Sequence, residues 1–176
     1  MELEFLQTLQ GLHHPVLDRV LVIITTLGNA GWFFIALGLI LLAFKKTRRT
    51  GFHVLLALVF SLIFCNLILK GLVARDRPSW LVPDVELLIA NPKDFSFPSG
   101  HTSAAMAAAT AIFMHDKRYG IAAFVLAACI AFSRMYLFVH FPTDVLGGAV
   151  TGVVSAVAAF FLMRWFENRK NENMQA

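Results

Sequence analysis

The sequence predicts an all-α polytopic membrane helical bundle, five to six transmembrane helices with a short N-terminal interfacial helix. Two observations carry that expectation. Of 176 residues, 58% are hydrophobic and only 15% charged, with a mean hydropathy of +0.69, too apolar for a soluble domain of this length. The charges also gather in short polar turns between long apolar stretches, the pattern of spans and loops. The chain reads as one integral membrane domain, 1–176, with an interfacial helix at 1–14, a bundle at 15–167 and a polar cytoplasmic tail at 168–176. The net charge of +4 fits loop lysines and arginines and does not require a nucleic acid.

Residues 2–14 place Leu3, Phe5, Leu6, Leu9 and Leu12 at roughly helical spacing among Glu2, Glu4, Gln7 and Gln10, which predicts an amphipathic helix at the membrane surface. Its acidic start, followed by no small-residue cleavage site, predicts no cleaved leader. His13 and His14 are neighbours and would point apart on a helix, so they read as an interfacial turn before Pro15. Residues 16–44 are apolar but interrupted by Gly28-Asn29-Ala30-Gly31. Either one kinked span or two helices satisfies that pattern, since 16–27 would reach only about 18 Å.

Lys45-Lys46-Thr47-Arg48-Arg49 closes that region, and the next span runs over 51–74 with Lys70 near its far end. The connection from Arg75 to Pro98 holds Pro78, Pro83, Pro92 and Pro98, which argue against regular structure. An alanine-rich helix over 99–115, a span over 119–139 and a last span over 143–166 complete the bundle. Gly148 and Gly152, and the run Ala104, Ala105, Ala108, Ala109, allow close helix packing in lipid. Cys65 and Cys129 sit in apolar helices and read as small hydrophobes, without disulfide or metal role.

Crossing once per span puts Lys45, Lys46, Arg48, Arg49, Lys117, Arg118, Arg164, Arg169 and Lys170 on one side, nine of the fifteen basic residues. That side is expected to be cytoplasmic. Three polar clusters then meet on the other: Lys70 with Arg77, Ser99-Gly100-His101, and Arg134 with His140 and Asp144. A charge at bilayer depth costs about 2.5 to 3.5 kcal/mol on the lenient insertion scale, so such residues mark function. Taken singly, each has a plain structural role as a snorkelling arginine, a hydrogen-bonded histidine or a helix cap. Jointly they describe a phosphate pocket. Lys70, Arg77 and Arg134 supply cations, and the Ser99-Gly100-His101 turn adds amides at a helix N-terminus. His140, with Asp144 four residues on to orient it, reads as the nucleophile, and His101 as the general acid. No metal or other cofactor is expected, because the cations already neutralise the phosphate.

Lys70-x6-Arg77-Pro78, Pro98-Ser99-Gly100-His101 and Ser133-Arg134-x5-His140-x3-Asp144 together resemble the three-part signature of the type 2 phosphatidic acid phosphatase family, related to bacterial acid phosphatases and vanadium haloperoxidases. The match is complete at every signature position and spans residues 70–144. The resemblance implies a metal-independent membrane phosphatase working through a phosphohistidine at His140. Asp144 would orient it, His101 would serve as leaving-group acid, and Lys70, Arg77, Ser99, Gly100 and Arg134 would cradle the phosphate. It implies a lipid phosphate as substrate and a bacterial plasma membrane location with the site on the extracytoplasmic side. Undecaprenyl diphosphate is favoured, because the site is expected to face outward and the chain carries no extra domain. Phosphatidylglycerophosphate, phosphatidic acid and lipid A phosphates are alternatives. A lipid-phosphate binding or translocating protein without hydrolysis is the reading from another class, and the His140–Asp144 pair speaks against it. Arg75, Asp76 and Lys93 read as solvated loop charges. His53 and His115, near the basic end, carry no expected chemistry. Tyr136, Phe138 and Phe141 suit pocket lining and helix packing equally.

Overall fold

A computed structural model describes residues 1–175, and every regular element among them is helical. Helix α1 spans Glu2–Gln10 and α2 spans Pro15–Leu27, whose start is fixed by Pro15 in the first turn and by the His14 ring accepting from the Val16 amide. A single 3-10 turn, Asn29–Gly31, leads into α3, Trp32–Ala43. Helix α4 begins at Arg48, continues through a π-helical stretch at Leu62–Leu69, and ends at Val73, where Ala74 turns left-handed. After one helical turn at Pro78–Leu81 and an irregular connection come α5 (Gly100–His115), α6 (Lys117–Tyr136) and α7 (Pro142–Gln175). Asp116 caps α6 by accepting from the Arg118 and Tyr119 amides at 2.9 and 3.1 Å, which makes the expected tight polar turn.

Helix α5 is the hub, packed against α4, α6 and α7. Its alanines are why. Ala105, Ala107, Ala108, Ala109 and Ala111 are fully buried, and their small side chains let the neighbours approach closely. Gly148 and Gly152 complete that approach from α7. A Cβ on Gly148 would lie 2.5 Å from the Ser99 carbonyl oxygen, and one on Gly152 would lie 2.4 Å from that of Ser103. The small-residue spacing is therefore a helix contact.

The two ends of the bundle differ. At one end Arg49 of α4 pairs with Glu167 of α7 at 2.7 Å, and the His53 and His115 rings meet at 3.1 Å. Leu41 and Leu42, near the end of α3, also lie against Gly51 there, where a Cβ would come within 2.4 Å of the Leu42 nitrogen. At the other end, α2 enters beside the last turn of α6, with the Tyr136 hydroxyl donating to Asp18 at 2.6 Å. Helices α2 and α3 therefore run from one end to the other as one broken span, bent by 47°. The kinked-span alternative is the one realised, and it puts α1 at the end opposite the basic turns.

Three helices are long and apolar enough to cross a membrane, four with the bent pair taken as one span. By that length test the count is below the five to six expected, because α2 and α3 share one crossing and α5, with only 16 residues, falls short of it although it runs from Ser99 at the site end to His115 at the other. Helix α1 also differs from expectation. Leu6 and Leu9 are buried against Phe138 and Phe141, so its apolar face rests on protein instead of lying free at the surface. The expected tail at 168–176 is the continuation of α7 as far as Gln175, and Ala176 lies outside the described residues.

Candidate active site

Each site residue sits where the local structure turns. Lys70 follows the π-helical stretch of α4, an irregularity that rotates the end of the helix and recurs at functional positions. Arg77, extended because Pro78 follows it, precedes the one-turn helix. Gly100 and His101 open α5 behind the Ser99 cap. Arg134 lies in the last turn of α6. Phe138, left-handed at φ 58°, swings the chain so that His140 turns inward before Asp144 enters α7.

These residues converge on one cavity of about 970 Å³, lined by Lys70, Arg77, Gly100, His101, Arg134 and His140. The chain therefore brings together six of the eight expected site residues directly. Asp144 stands behind His140, with one carboxylate oxygen 3.6 Å from His140 Nδ1 and accepting from the Phe141 amide at 2.8 Å. Ser99 does not reach the cavity. Its hydroxyl is held by Thr102, its amide donates to the Asp144 carbonyl at 3.0 Å, and it acts as a helix cap and a strut to α7.

Arg77 is almost fully buried and threads the site together. Its guanidinium donates to the Val139 carbonyl at 2.7 Å, to the Asp94 carbonyl and carboxylate at 2.7 Å each, and to His140 Nε2 at 3.2 Å. Because an arginine only donates, His140 Nε2 must accept. Its lone pair therefore points at Arg77, a residue of the cavity wall, and its proton sits on Nδ1, toward Asp144. Burial, then the charges of Arg77, Arg134 and Lys70, hold that ring neutral well below the usual histidine range. Arg134 is also buried. One of its nitrogens donates to Thr25 Oγ1 at 2.7 Å, while its Nε has no acceptor among the described residues. A buried donor without a partner is costly, and here it belongs to a residue lining an anion pocket.

Several functional residues escaped the sequence. Asp94 bridges Lys70 and Arg77, one oxygen on each. Burial pushes its pKa up, but the Lys70 and Arg77 contacts outweigh that and pull it down to about 2. The Ser96 hydroxyl donates to Asp144 at 2.5 Å, next to His140 Nδ1. Arg75 is a correction: it is not a solvated loop charge. It donates to the Asp144 carboxylate at 2.8 Å and to Glu2 of α1 at 2.8 Å. From the broken helix, Asn29 Oδ1 accepts from His101 Nε2 at 2.9 Å. Nothing distinguished these from ordinary loop residues, since their proximity exists only in the folded chain. Asp76 and Lys93 stay exposed. Tyr136, Phe138 and Phe141 are absent from the cavity wall and pack beneath α1 and beside α2.

The same cavity has a second, apolar side. Ile35, Leu55, Leu58, Val59 and Leu62 continue its lining between α3 and α4, and Ile35, Val59 and Leu62 are themselves partly exposed on the bundle's outer surface. A charged pocket and a greasy slot are thus one space. Among the described residues, no group of three or more His, Cys, Asp or Glu is placed to hold a metal ion.

Comparison with known proteins identifies the family. The profile of the PAP2 superfamily matches residues 50–170. The chain is 33% identical over 131 residues to the bacitracin transport permease protein BcrC of Bacillus licheniformis, covering 73% of this chain and 64% of that protein. It is 29% identical over 158 residues to the undecaprenyl-diphosphatase BcrC of Bacillus subtilis, covering 88% and 80%. Among solved structures, Aquifex aeolicus LpxE superposes with a TM-score of 0.78 at 30% identity, covering 90% of this chain and 94% of that one. A PAP2-type phosphatidylglycerolphosphate phosphatase from Bacillus subtilis superposes with a TM-score of 0.73 at 30% identity, covering 96% and 85%.

Proposed function

The chain belongs to the PAP2 superfamily, and from that premise we propose that it is a metal-independent membrane phosphatase that hydrolyses a lipid phosphate or diphosphate through a phosphohistidine. The observation that carries this reading is the orientation of His140, with Nε2 accepting from Arg77 at 3.2 Å on the cavity side and Nδ1 facing Asp144 at 3.6 Å. A binding protein has no need of an imidazole whose deprotonated nitrogen is held among the cavity cations with a carboxylate behind the ring.

The cycle follows from that geometry. The phosphate settles among Lys70, Arg77, Arg134 and the first amides of α5. His140 Nε2 forms a bond to phosphorus as the bond to the lipid oxygen breaks. The departing electron pair stays on that oxygen, which takes a proton from His101. Asp144 meanwhile stabilises the positive charge that develops on the phosphorylated ring. A water then attacks phosphorus and passes a proton to His101. The N–P bond breaks with its electron pair returning to Nε2, and inorganic phosphate leaves. The guanidinium and ammonium groups spread the charge of the transferring phosphoryl group, work done by metal ions in other phosphatases.

The adjoining apolar slot favours an amphiphile whose tail stays among α3, α4 and lipid. We favour undecaprenyl diphosphate, which the similarity to an undecaprenyl-diphosphatase supports. Phosphatidylglycerophosphate is the alternative that the similar solved structure supports, with phosphatidic acid and lipid A phosphates beside it. The basic turns gather at the end opposite the site, which favours a plasma membrane protein with its site on the extracytoplasmic side. Similarity to a protein named as a permease keeps one competing reading, lipid-phosphate translocation without hydrolysis.

The test is phosphate release by purified protein from a panel of polyprenyl diphosphates and glycerolipid phosphates in one detergent, with a chelator present. Acid-quenching during turnover of a radiolabelled substrate is expected to trap label on His140, and His140→Ala should bind lipid yet release none. Turnover that collapses in chelator, or a quenched protein that never carries label, would refute the mechanism.

A further inference from the structure

The break between α2 and α3, with Thr25 and Thr26 before it and Ile35 after it, makes a part of the cavity wall that lies outside the region matched by the family profile, residues 50–170. It is an unusual piece of backbone. Ala30 and Gly31 are both left-handed, at φ 49° and 67°, and an alanine is rarely held there unless its surroundings demand it. Those surroundings are the site. Gly28 lies against the His101 ring so closely that a Cβ would come within 2.6 Å of the ring Cδ2. Asn29 then reaches His101 Nε2 at 2.9 Å through its side-chain oxygen, and both residues line the cavity. Thr25, one turn earlier, holds Arg134 at 2.7 Å.

We propose that this break is a built wall of the active site and that Asn29 is a positioning residue for His101. The inference rests on the phosphatase reading above. The amide oxygen can only accept, so it selects the ring form with a proton on Nε2. It also fixes the ring at a place in the cavity where the departing lipid oxygen can displace the amide and take that proton. Gly28 is the residue that lets the backbone come close enough for this. A ring without that partner would still sit in the pocket, but its proton would point at the leaving oxygen only part of the time.

A general acid matters in proportion to how badly the leaving group needs a proton. The glycerol oxygen of a phosphatidate needs one, and the phenolate of p-nitrophenyl phosphate scarcely does. The experiment therefore measures kcat and KM for both substrates in wild type, Asn29→Ala and Asn29→Asp, the last keeping an acceptor oxygen of the same reach. Asn29→Ala is expected to lower kcat on dioleoyl phosphatidate at least tenfold more than kcat on p-nitrophenyl phosphate, with KM for each within threefold of wild type. Asn29→Asp should recover most of the lost lipid turnover. Equal losses on the two substrates would mean a general structural role and overturn the inference, as would lipid turnover within twofold of wild type in Asn29→Ala. A wild-type protein that releases phosphate from neither substrate sinks the phosphatase reading itself, whereas an active wild type with an indifferent Asn29→Ala sinks this inference alone.

Discussion

Asp94 spans Lys70 and Arg77 with its two carboxylate oxygens, so an arriving phosphate has to compete for those cations with a group the chain already carries. Asp94 is itself half exposed in a loop, which makes it the partner able to move. Asp94→Asn keeps an acceptor for Arg77 and removes the charge. Vanadate, which resembles the five-coordinate phosphorus, is expected to inhibit this variant about tenfold more tightly than wild type, an effect that shrinks as salt is raised. Unchanged inhibition would show that the carboxylate only holds the loop. The Asp94 contacts also set a pH window. With its pKa lowered to about 2, the pairing contributes stability in full above the unfolded value of about 4, and loses it as pH falls toward 2. His140 has the opposite charge logic, since burial and three cations disfavour its protonated form. Its nucleophilic form therefore persists to lower pH than an ordinary imidazole allows. Once phosphate ionisation is accounted for, the acid limb of kcat/KM should lie below the usual histidine range. A limb near 7 would contradict that.

At the scale of elements, close packing of α5 on α7 is what presents His101 and Asp144 to one another's side of the pocket. Gly152→Ala would push a methyl to within 2.4 Å of the Ser103 carbonyl oxygen, and backbone cannot yield as a flexible side chain does. A loss of about 1 to 3 kcal/mol is expected, read as a lower unfolding temperature in detergent. Gly71→Ala is the control, because nothing lies within 4 Å of the added carbon. It should leave stability unchanged or raise it by up to about 1 kcal/mol through helix propensity. The glycine spacing in α7 was readable in the sequence because packing small residues in lipid is a local property of a helix face. So were Lys70, Arg77, His101, Arg134, His140 and Asp144, whose charge or polarity is costly in an apolar chain unless it is used. Asn29, Thr25, Ser96 and Asp94 were not readable. Each is a polar residue of a kind that loops and helix ends carry everywhere, and its role arises only from which element the fold sets beside it. The Gly28–Gly31 interruption announced a break, yet whether the chain crossed once or turned back depended on α2 meeting α6 and α3 meeting α4. Arg75 was misread for the same reason, as its partner Asp144 is 69 positions away.

Across the whole molecule the two ends carry different charges for different reasons. Nine basic residues lie in or near the turns at one end: Lys45, Lys46, Arg48, Arg49, Lys117, Arg118, Arg164, Arg169 and Lys170. The remaining basic residues, Arg19, Lys70, Arg75, Arg77, Lys93 and Arg134, belong to the site end. There Lys70, Arg75 and Arg77 are bound in ion pairs, and Arg134 is buried in the cavity wall. Among the described residues, only Arg19 and Lys93 remain as exposed basic side chains at that end. The asymmetry that orients a membrane protein during insertion is therefore steeper than the raw count, which supports the proposed extracytoplasmic placement of the site end. The consequence can be measured in intact cells with a membrane-impermeant maleimide, after replacing Cys65 and Cys129 by alanine. Lys93→Cys should label before permeabilisation and Lys46→Cys only after it. The reverse pattern would place the pocket beside the cytosol. A substrate presented at the outer leaflet, including a carrier lipid released there as its diphosphate, would then be out of reach, leaving the glycerolipid phosphates as the substrates the cavity can serve.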